Sequence, residues 1–315
     1  MATKARQAAE SGELAEKIAR GREIMQNCTL CPRNCSVDRT AGETGYCGMA
    51  DRVEVAGYGP HFGEEQVLVG EKGSGTIFFC GCNLRCVFCQ NYSISHCFEE
   101  ECLTVDSGQL AAIMLGLQEQ GCHNINLVTP GHIVPHLLSA LQVAVEDGLR
   151  IPIVYNCGGY ESMTALRLLD GIVDIYMPDI KFFSSESAGR YAGAADYPET
   201  VKRAVLEMQW QVGDLQIDDR GLAENGLLVR HLLMPDAKAD SESIFTFLAD
   251  RVSRNCYVNI MEQYRPCGTA KAFPELGRTI SSDYYQEMIT AAKKSGLTRI
   301  ESNDFSQLLA KLFSS

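Results

Sequence analysis

The chain has 315 residues, 45% of them hydrophobic and 22% charged, with a net charge of −12, which suits a soluble globular protein of one large domain plus an appendage. That acidity, with no basic run longer than a pair, argues against a nucleic-acid backbone as partner and favours a protein or small-molecule substrate. No apolar run approaches the roughly 20 residues of a membrane-spanning helix, and the first 22 residues read as a charged helical segment without a signal-peptide core, so a cytoplasmic protein away from membranes is expected.

Residues 8–25 place Leu14, Ile18 and Ile24 among Glu and Arg at helical spacing, predicting an amphipathic helix packed on a neighbour. Cys28, Cys31, Cys35 and Cys47 follow, with Gly42, Gly45 and Gly48 supplying the tight turns a ligand loop needs. Four thiolates in such a stretch suit zinc and an iron–sulfur cluster equally, so a second metal site of either kind is expected here. Fourteen cysteines grouped in such spacings favour reduced thiols and metal over a disulfide framework. Residues 51–75 alternate and turn as short strands leading into the main domain.

The apolar run 76–80 leads straight into Cys82-Asn83-Leu84-Arg85-Cys86-Val87-Phe88-Cys89. Three thiols at this spacing converge on a soft metal centre, and a cubane [4Fe-4S] cluster needs four ligands, so three cysteines leave one iron open. Zinc fits less well, because structural zinc closes four protein ligands. Strand-length runs then alternate with helical stretches: strands at 124–129, 151–156, 174–177, 227–234 and 257–261, and helices at 108–120, 133–147, 162–170, 188–211, 242–252 and 283–294. Six strands with crossover helices predict a parallel α/β sheet, read as a partial (β/α)6 TIM-type barrel. A short closing strand at 298–301 and a helical tail complete it. The expected organisation is a cysteine-rich metal-binding extension at 1–74, a core barrel at 75–300 and a helical tail at 301–315.

In such a fold the reactive groups gather at the carboxyl ends of strands. The polar and glycine-rich oddities fall there: Thr129-Pro130-Gly131-His132, Asn156-Cys157-Gly158-Gly159, Met177-Pro178-Asp179-Ile180-Lys181, Arg230-His231 and Gln263-Tyr264-Arg265. Positions two apart in a strand share a face, so Met177, Asp179 and Lys181 point the same way.

C-x3-C-x2-C with an aromatic before the third cysteine is the signature of radical S-adenosylmethionine (SAM) enzymes, and Cys-Val-Phe-Cys-Gln-Asn is similar to the version in glycyl-radical activating enzymes. Cys-x2-Cys-Pro-Arg-x-Cys with a later Gly-Tyr-Cys-Gly narrows the resemblance to a poorly characterised branch of homologues of the pyruvate formate-lyase activating enzyme. The resemblance implies a [4Fe-4S] cluster on Cys82, Cys86 and Cys89 whose open iron is chelated by SAM, with Phe88 near the adenine. Met-x-Asp-x-Lys looks like the activase segment in which Asp179 and Lys181 approach the SAM carboxylate and ribose. Arg230 matches the arginine that pairs with the SAM carboxylate, for which a two-pronged donor is suited. Thr129, Gly131 and His132 stand where the family has a Gly-Gly-Glu segment for the SAM amino group, and the acid is absent. Asn156 and its neighbours align with a segment that helps hold a monovalent cation, without its charged ligand. The family's SAM-contacting histidine near the sixth strand is replaced by Gln263-Tyr264-Arg265.

The implied activity is that of a radical SAM oxidoreductase, making a 5′-deoxyadenosyl radical that abstracts hydrogen from a glycine of a partner protein. The electron would come from a low-potential donor such as flavodoxin or ferredoxin. Two alternatives stand beside it: a radical SAM enzyme acting on another protein, peptide or small molecule with an auxiliary metal site, and an iron–sulfur electron carrier or sensor without SAM chemistry.

Overall fold

The computed structural model describes residues 3–96 and 102–301, so Cys97 and the tail at 302–315 lie outside the described residues. In chain order the strands are β1 (Val53–His61), β2 (Ser74–Phe79), β3 (Leu103–Val105), β4 (Ile125–Val128), β5 (Ile153–Cys157), β6 (Ile175–Pro178), β7 (Gln216–Ile217), β8 (Ala223–Leu232), β9 (Tyr257–Met261) and β10 (Arg299–Ile300). The helices are α1 (Lys4–Ser11), α2 (Glu13–Met25), α3 (Gln66–Val69), α4 (Tyr92–His96), α5 (Ser107–Glu119), α6 (Val134–Glu146), α7 (Met163–Leu169), α8 (Ser185–Ala192), α9 (Tyr197–Val212), α10 (Lys238–Phe247) and α11 (Ser282–Lys294).

The strands form one mixed sheet in the order β10-β9-β8-β6-β5-β4-β2-β1-β3, with β7 hairpinned onto β8. From β2 to β10 the neighbours are parallel, as helical crossovers require. The six strands expected to be parallel, β2, β4, β5, β6, β8 and β9, are so; β1, which falls within the short strands expected over 51–75, runs antiparallel to β2, and β3 runs antiparallel to β1. These strands join without a full helical crossover, which frees them to reverse direction.

Strand alternation sorts the residues onto two faces. Ile77, Leu127, Ile153, Tyr155, Tyr176, Val229 and Val258 pack with α5, α6, α7, α9, α10 and α11 in the larger core. Val154, Ile175, Met177 and Leu228 face the other way, where Val67 and Leu68 of α3 cover them. Helix starts are set by local chemistry. Asp106 and Gln109 make a reciprocal capping box on α5, and Ser162, Ser184 and Ser281 each accept a backbone N–H at the start of α7, α8 and α11.

The helix predicted over 8–25 is interrupted: Gly12 takes a left-handed φ of 84°, which ends α1 and starts α2. Gly21 lets α2 close on α6, since a Cβ there would stand 3.1 Å from Pro135 Cβ. No helix among the described residues is long and apolar enough to cross a membrane.

Candidate functional site

The carboxyl end of β2 delivers the three-cysteine loop. Cys80 is fully buried and its N–H donates to the Glu54 carbonyl at 2.9 Å. Gly81 follows at φ 83°, where a Cβ would stand 2.8 Å from the Cys47 carbonyl oxygen, so only glycine fits the turn. Arg85 also takes a left-handed φ, 53°. The Leu84 N–H points at Cys82 Sγ at 3.3 Å, and the Ser95 hydroxyl at Cys89 Sγ at 3.3 Å. The Asn83 amide donates to the Tyr160 carbonyl at 2.7 Å, and Val87 N–H to the Tyr191 carbonyl at 2.9 Å, so the segment after β5 and the last turn of α8 hold the loop on its two flanks. Burial pushes the Cys86 thiol up to about 12 against the opposing charge of Lys181. The Cys86 thiol therefore stays protonated unless a metal takes the charge.

Beside the loop lies a buried charged group. Arg230 on β8 donates from Nε to Asp179 Oδ1 at 2.8 Å, from Nη2 to Asn156 Oδ1 at 2.7 Å and from Nη1 to Glu64 Oε2 at 3.3 Å. The Lys181 ammonium pairs with the other Asp179 oxygen. Burial alone raises a carboxyl, but Arg230 and Lys181 outweigh it and hold Asp179 at about 2. Tyr197 on α9 locks the two strand ends: its hydroxyl faces the carbonyls of Gly158 and Asp179, both at 2.9 Å, and accepts the Lys181 N–H at 3.0 Å. Gly159, at φ 74°, makes this approach possible, because a Cβ there would meet the Asp179 carbonyl at 2.4 Å.

The remaining predicted residues are more dispersed. Thr129 adopts a left-handed φ of 59° and donates its N–H to the Asn156 carbonyl at 2.8 Å. His132 is buried and its Nε2 donates to the Cys80 carbonyl at 2.8 Å, so it anchors the root of the cysteine loop. Burial first, and then Arg39, lowers it to about 3, which keeps the imidazole neutral. Phe88 is buried against Phe182 and Tyr264 at ring distances of 5.9 and 6.1 Å. Gly131 leaves room for Glu161, whose Oε2 would be 2.7 Å from a Cβ at that position.

Glu161 escaped the sequence reading. It is buried, accepts the Tyr155 hydroxyl at 2.9 Å, and burial raises it to about 7 against the hydrogen bonds from Tyr155 and Cys157. A carboxylate just past Gly158-Gly159 at a strand end was the available signal. Glu64 was missed too, because its partner Arg230 is 166 residues away.

The N-terminal cysteine segment docks on the three-cysteine loop. Arg33 donates to the carbonyls of Asn83 at 2.8 Å, Ala192 at 3.0 Å and Gly193 at 2.5 Å, and its guanidinium lies 3.9 Å from the centre of the Tyr46 ring. The Tyr46 hydroxyl reaches the Leu84 carbonyl at 3.4 Å. Among the described residues no group of three or more His, Cys, Asp or Glu side chains is already arranged to hold a metal ion. Cys80 and Cys102 form a disulfide, with Cα atoms 6.4 Å apart. The sequence favoured reduced thiols over a disulfide framework; at this one pair, which antiparallel β3 brings to the end of β2, the structure has a bond instead.

The donor set suits a three-thiolate cluster: soft sulfurs, two of them already receiving hydrogen bonds of the kind that tune metal thiolates. Several buried polar atoms have no partner. Asn126 is 0% exposed and neither amide atom is bonded, and Asn259 Oδ1 and Glu65 Oε2 are likewise unpartnered. Such atoms suit a polar ligand better than a sealed core. A cavity of about 740 Å³ lined by Arg22, Arg52, Asp51 and His136 lies elsewhere, between α2, α6 and β3, and contains none of these groups.

No family model matches the chain. It is 32% identical over 293 residues to the uncharacterized protein MJ0674 of Methanocaldococcus jannaschii, a match that covers 90% of this chain and 79% of that one.

Proposed function

Since the chain belongs to the same family as MJ0674, a protein without an assigned activity, we propose a function from its own residues: a radical SAM enzyme of the glycyl-radical activase type. The observation that carries the reading is the C-x3-C-x2-C loop at the end of β2, with hydrogen-bond donors on the sulfurs of Cys82 and Cys89 and the Asp179–Lys181–Arg230 group beside it. The run of parallel strands is compatible with a partial (β/α)6 barrel, in which such a loop sits at the catalytic end.

In this reading Cys82, Cys86 and Cys89 hold a [4Fe-4S] cluster and leave one iron open. The chemistry such a group would supply, when bound, is the one-electron reductive cleavage of SAM to methionine and a 5′-deoxyadenosyl radical. Arg230 and Lys181 offer cationic donors to the SAM carboxylate while Asp179 and Asn156 fix their directions. Thr129 and Gly131 present backbone and hydroxyl acceptors to the amino group, and Phe88 an apolar face to the adenine. His132 keeps the loop root in place through the Cys80 carbonyl. A glycine of a partner protein is the proposed hydrogen donor, a cytoplasmic flavodoxin or ferredoxin the proposed electron source. Docking of the N-terminal cysteine segment on the loop favours a second reading, in which the same chemistry modifies another peptide or small molecule.

The test is anaerobic reconstitution, with iron and sulfide counts and an assay of 5′-deoxyadenosine after reduction with SAM. Wild type is compared with the Cys82→Ala/Cys86→Ala/Cys89→Ala variant. Deoxyadenosine from wild type alone supports the proposal. A fully loaded wild type that neither binds nor cleaves SAM sinks it and returns the electron-carrier reading.

A further inference from the structure

We propose that Cys28, Cys31, Cys35 and Cys47 form a closed four-thiolate zinc centre whose negative charge neutralises the buried guanidinium of Arg39. The centre also holds the N-terminal segment against the three-cysteine loop. None of these residues is asked to bind the cluster or SAM, so the inference stands apart from the radical SAM reading.

The argument starts from an unbalanced charge. Arg39 is 1% exposed, yet among the described residues its hydrogen bonds all go to backbone carbonyls: Ala50 from Nε at 3.1 Å and Nη2 at 2.7 Å, and His132 from Nη1 at 2.6 Å. Carbonyls carry no formal charge, and a buried cation without an anion is strongly disfavoured. Arg33, only half-buried, also has backbone carbonyls and the Tyr46 ring as its partners. In a chain with 40 acidic and 28 basic residues, carboxylates were plentiful. The Cys47 thiol is close enough to Arg39 to feel its charge, and four thiolates around Zn²⁺ carry a net charge of about −2.

The backbone is already shaped for those ligands. Cys28 N–H donates to the Val37 carbonyl and Ser36 N–H to the Cys28 carbonyl, both at 3.0 Å, folding this stretch back on itself. Asn34 and Ser36 are held at left-handed φ angles of 44° and 55°, a local cost that asks for a compensating interaction. Gly45 lacks the Cβ that would press on Cys35 Sγ at 3.0 Å, and this brings the turn bearing Cys47 against Cys35. A backbone N–H already addresses one of the sulfurs, Tyr46 to Cys35 at 3.3 Å. Such N–H to sulfur bonds stabilise thiolate ligands. Full closure by four protein ligands leaves no open position, which suits a structural zinc rather than a reactive metal.

The experiment is metal and sulfide analysis of the full-length chain as wild type, as the Cys82→Ala/Cys86→Ala/Cys89→Ala variant, and as Cys28→Ser/Cys31→Ser. About one zinc per chain is expected in the first two and none in the third. Iron with sulfide retained by the triple alanine variant overturns the zinc assignment, and absence of any metal from it overturns the site. Should Cys28→Ser/Cys31→Ser fail to fold, X-ray absorption at the zinc edge of the triple alanine variant decides. Four sulfur neighbours at about 2.3 Å support the centre, and nitrogen or oxygen neighbours overturn it. Arg39→Met should weaken zinc retention against a chelator by roughly 10-fold or more, as loss of an outer-shell partner does, with Arg39→Lys closer to wild type. Equal retention in all three removes the charge-balancing role. Failure of SAM cleavage leaves every one of these readings unchanged.

Discussion

Arg33 and Asn83 tie the two cysteine segments together: the Arg33 Nε donates to the Asn83 carbonyl at 2.8 Å, inside the loop bounded by Cys82 and Cys86. Arg33→Ala removes that bond and those to Ala192 and Gly193. Bonds from a charged donor are worth about 1.5–3 kcal/mol each when their partners are left unpaired. A drop in thermal stability of several degrees is expected, together with faster loss of iron from the reconstituted protein to a chelator. A variant that melts and loses iron like wild type would show that the contact is incidental.

Tyr197 is the hinge pin between the ends of β5 and β6. Tyr197→Phe keeps the ring and deletes one hydroxyl, leaving buried polar groups of Gly158, Asp179 and Lys181 without that partner. The expected cost is about 1–3 kcal/mol, read as a lower midpoint in urea with an unchanged slope. On the radical SAM proposal, the affinity for SAM should fall as well, since the Asp179–Lys181 segment loses its anchor.

Asp179 and Glu161 should give opposite pH signatures. The folded Asp179, held at about 2, sits below its unfolded value near 3.9, so its contribution is present above pH 4 and disappears as pH falls through 2. Glu161, raised to about 7, lies above its unfolded value near 4.3. Its neutral form favours the fold below pH 4, and that contribution is lost as pH rises through 7. Glu161→Gln should therefore flatten the fall in stability between pH 5 and 8, with a gain over wild type on the order of 3 kcal/mol at the alkaline end. Unfolding curves across that range check it. An undiminished fall in the glutamine variant would assign the pH dependence elsewhere.

The Cys80–Cys102 disulfide spans 22 residues and encloses all three cysteines of the candidate cluster loop. Closing a loop of that size stabilises by about 3 kcal/mol in the chain-entropy model. Peptide mapping without reductant should recover Cys80 linked to Cys102, and Cys102→Ser should match the stability of the reduced wild type.

The alternation of apolar runs and helical stretches made the parallel strands and most of their crossover helices legible, because those elements are local. What escaped was non-local. Short strands over 51–75 were expected, but the antiparallel direction of β1, and β3 altogether, come only from pairing with β2 and with each other. The grouping of Asn156, Asp179, Lys181 and Arg230 at successive strand ends was readable from spacing and resemblance. The Glu64 partner of Arg230 and the Tyr197 lock were not, since both arrive from distant segments to meet groups whose needs the sequence does not display. His132 stood out as polar at a strand end, but the sequence could not tell that its proton would be used by the Cys80 carbonyl.

Both margins of the sheet are narrow. Among the described residues it ends in the three-residue β3 on one side and the two-residue β10 on the other. A strand edge recruits other chains through its row of free N–H and C=O groups, and rows this short offer little template. Self-association by strand addition is thereby disfavoured, so a partner must engage this protein through side chains and loops rather than by extending its sheet.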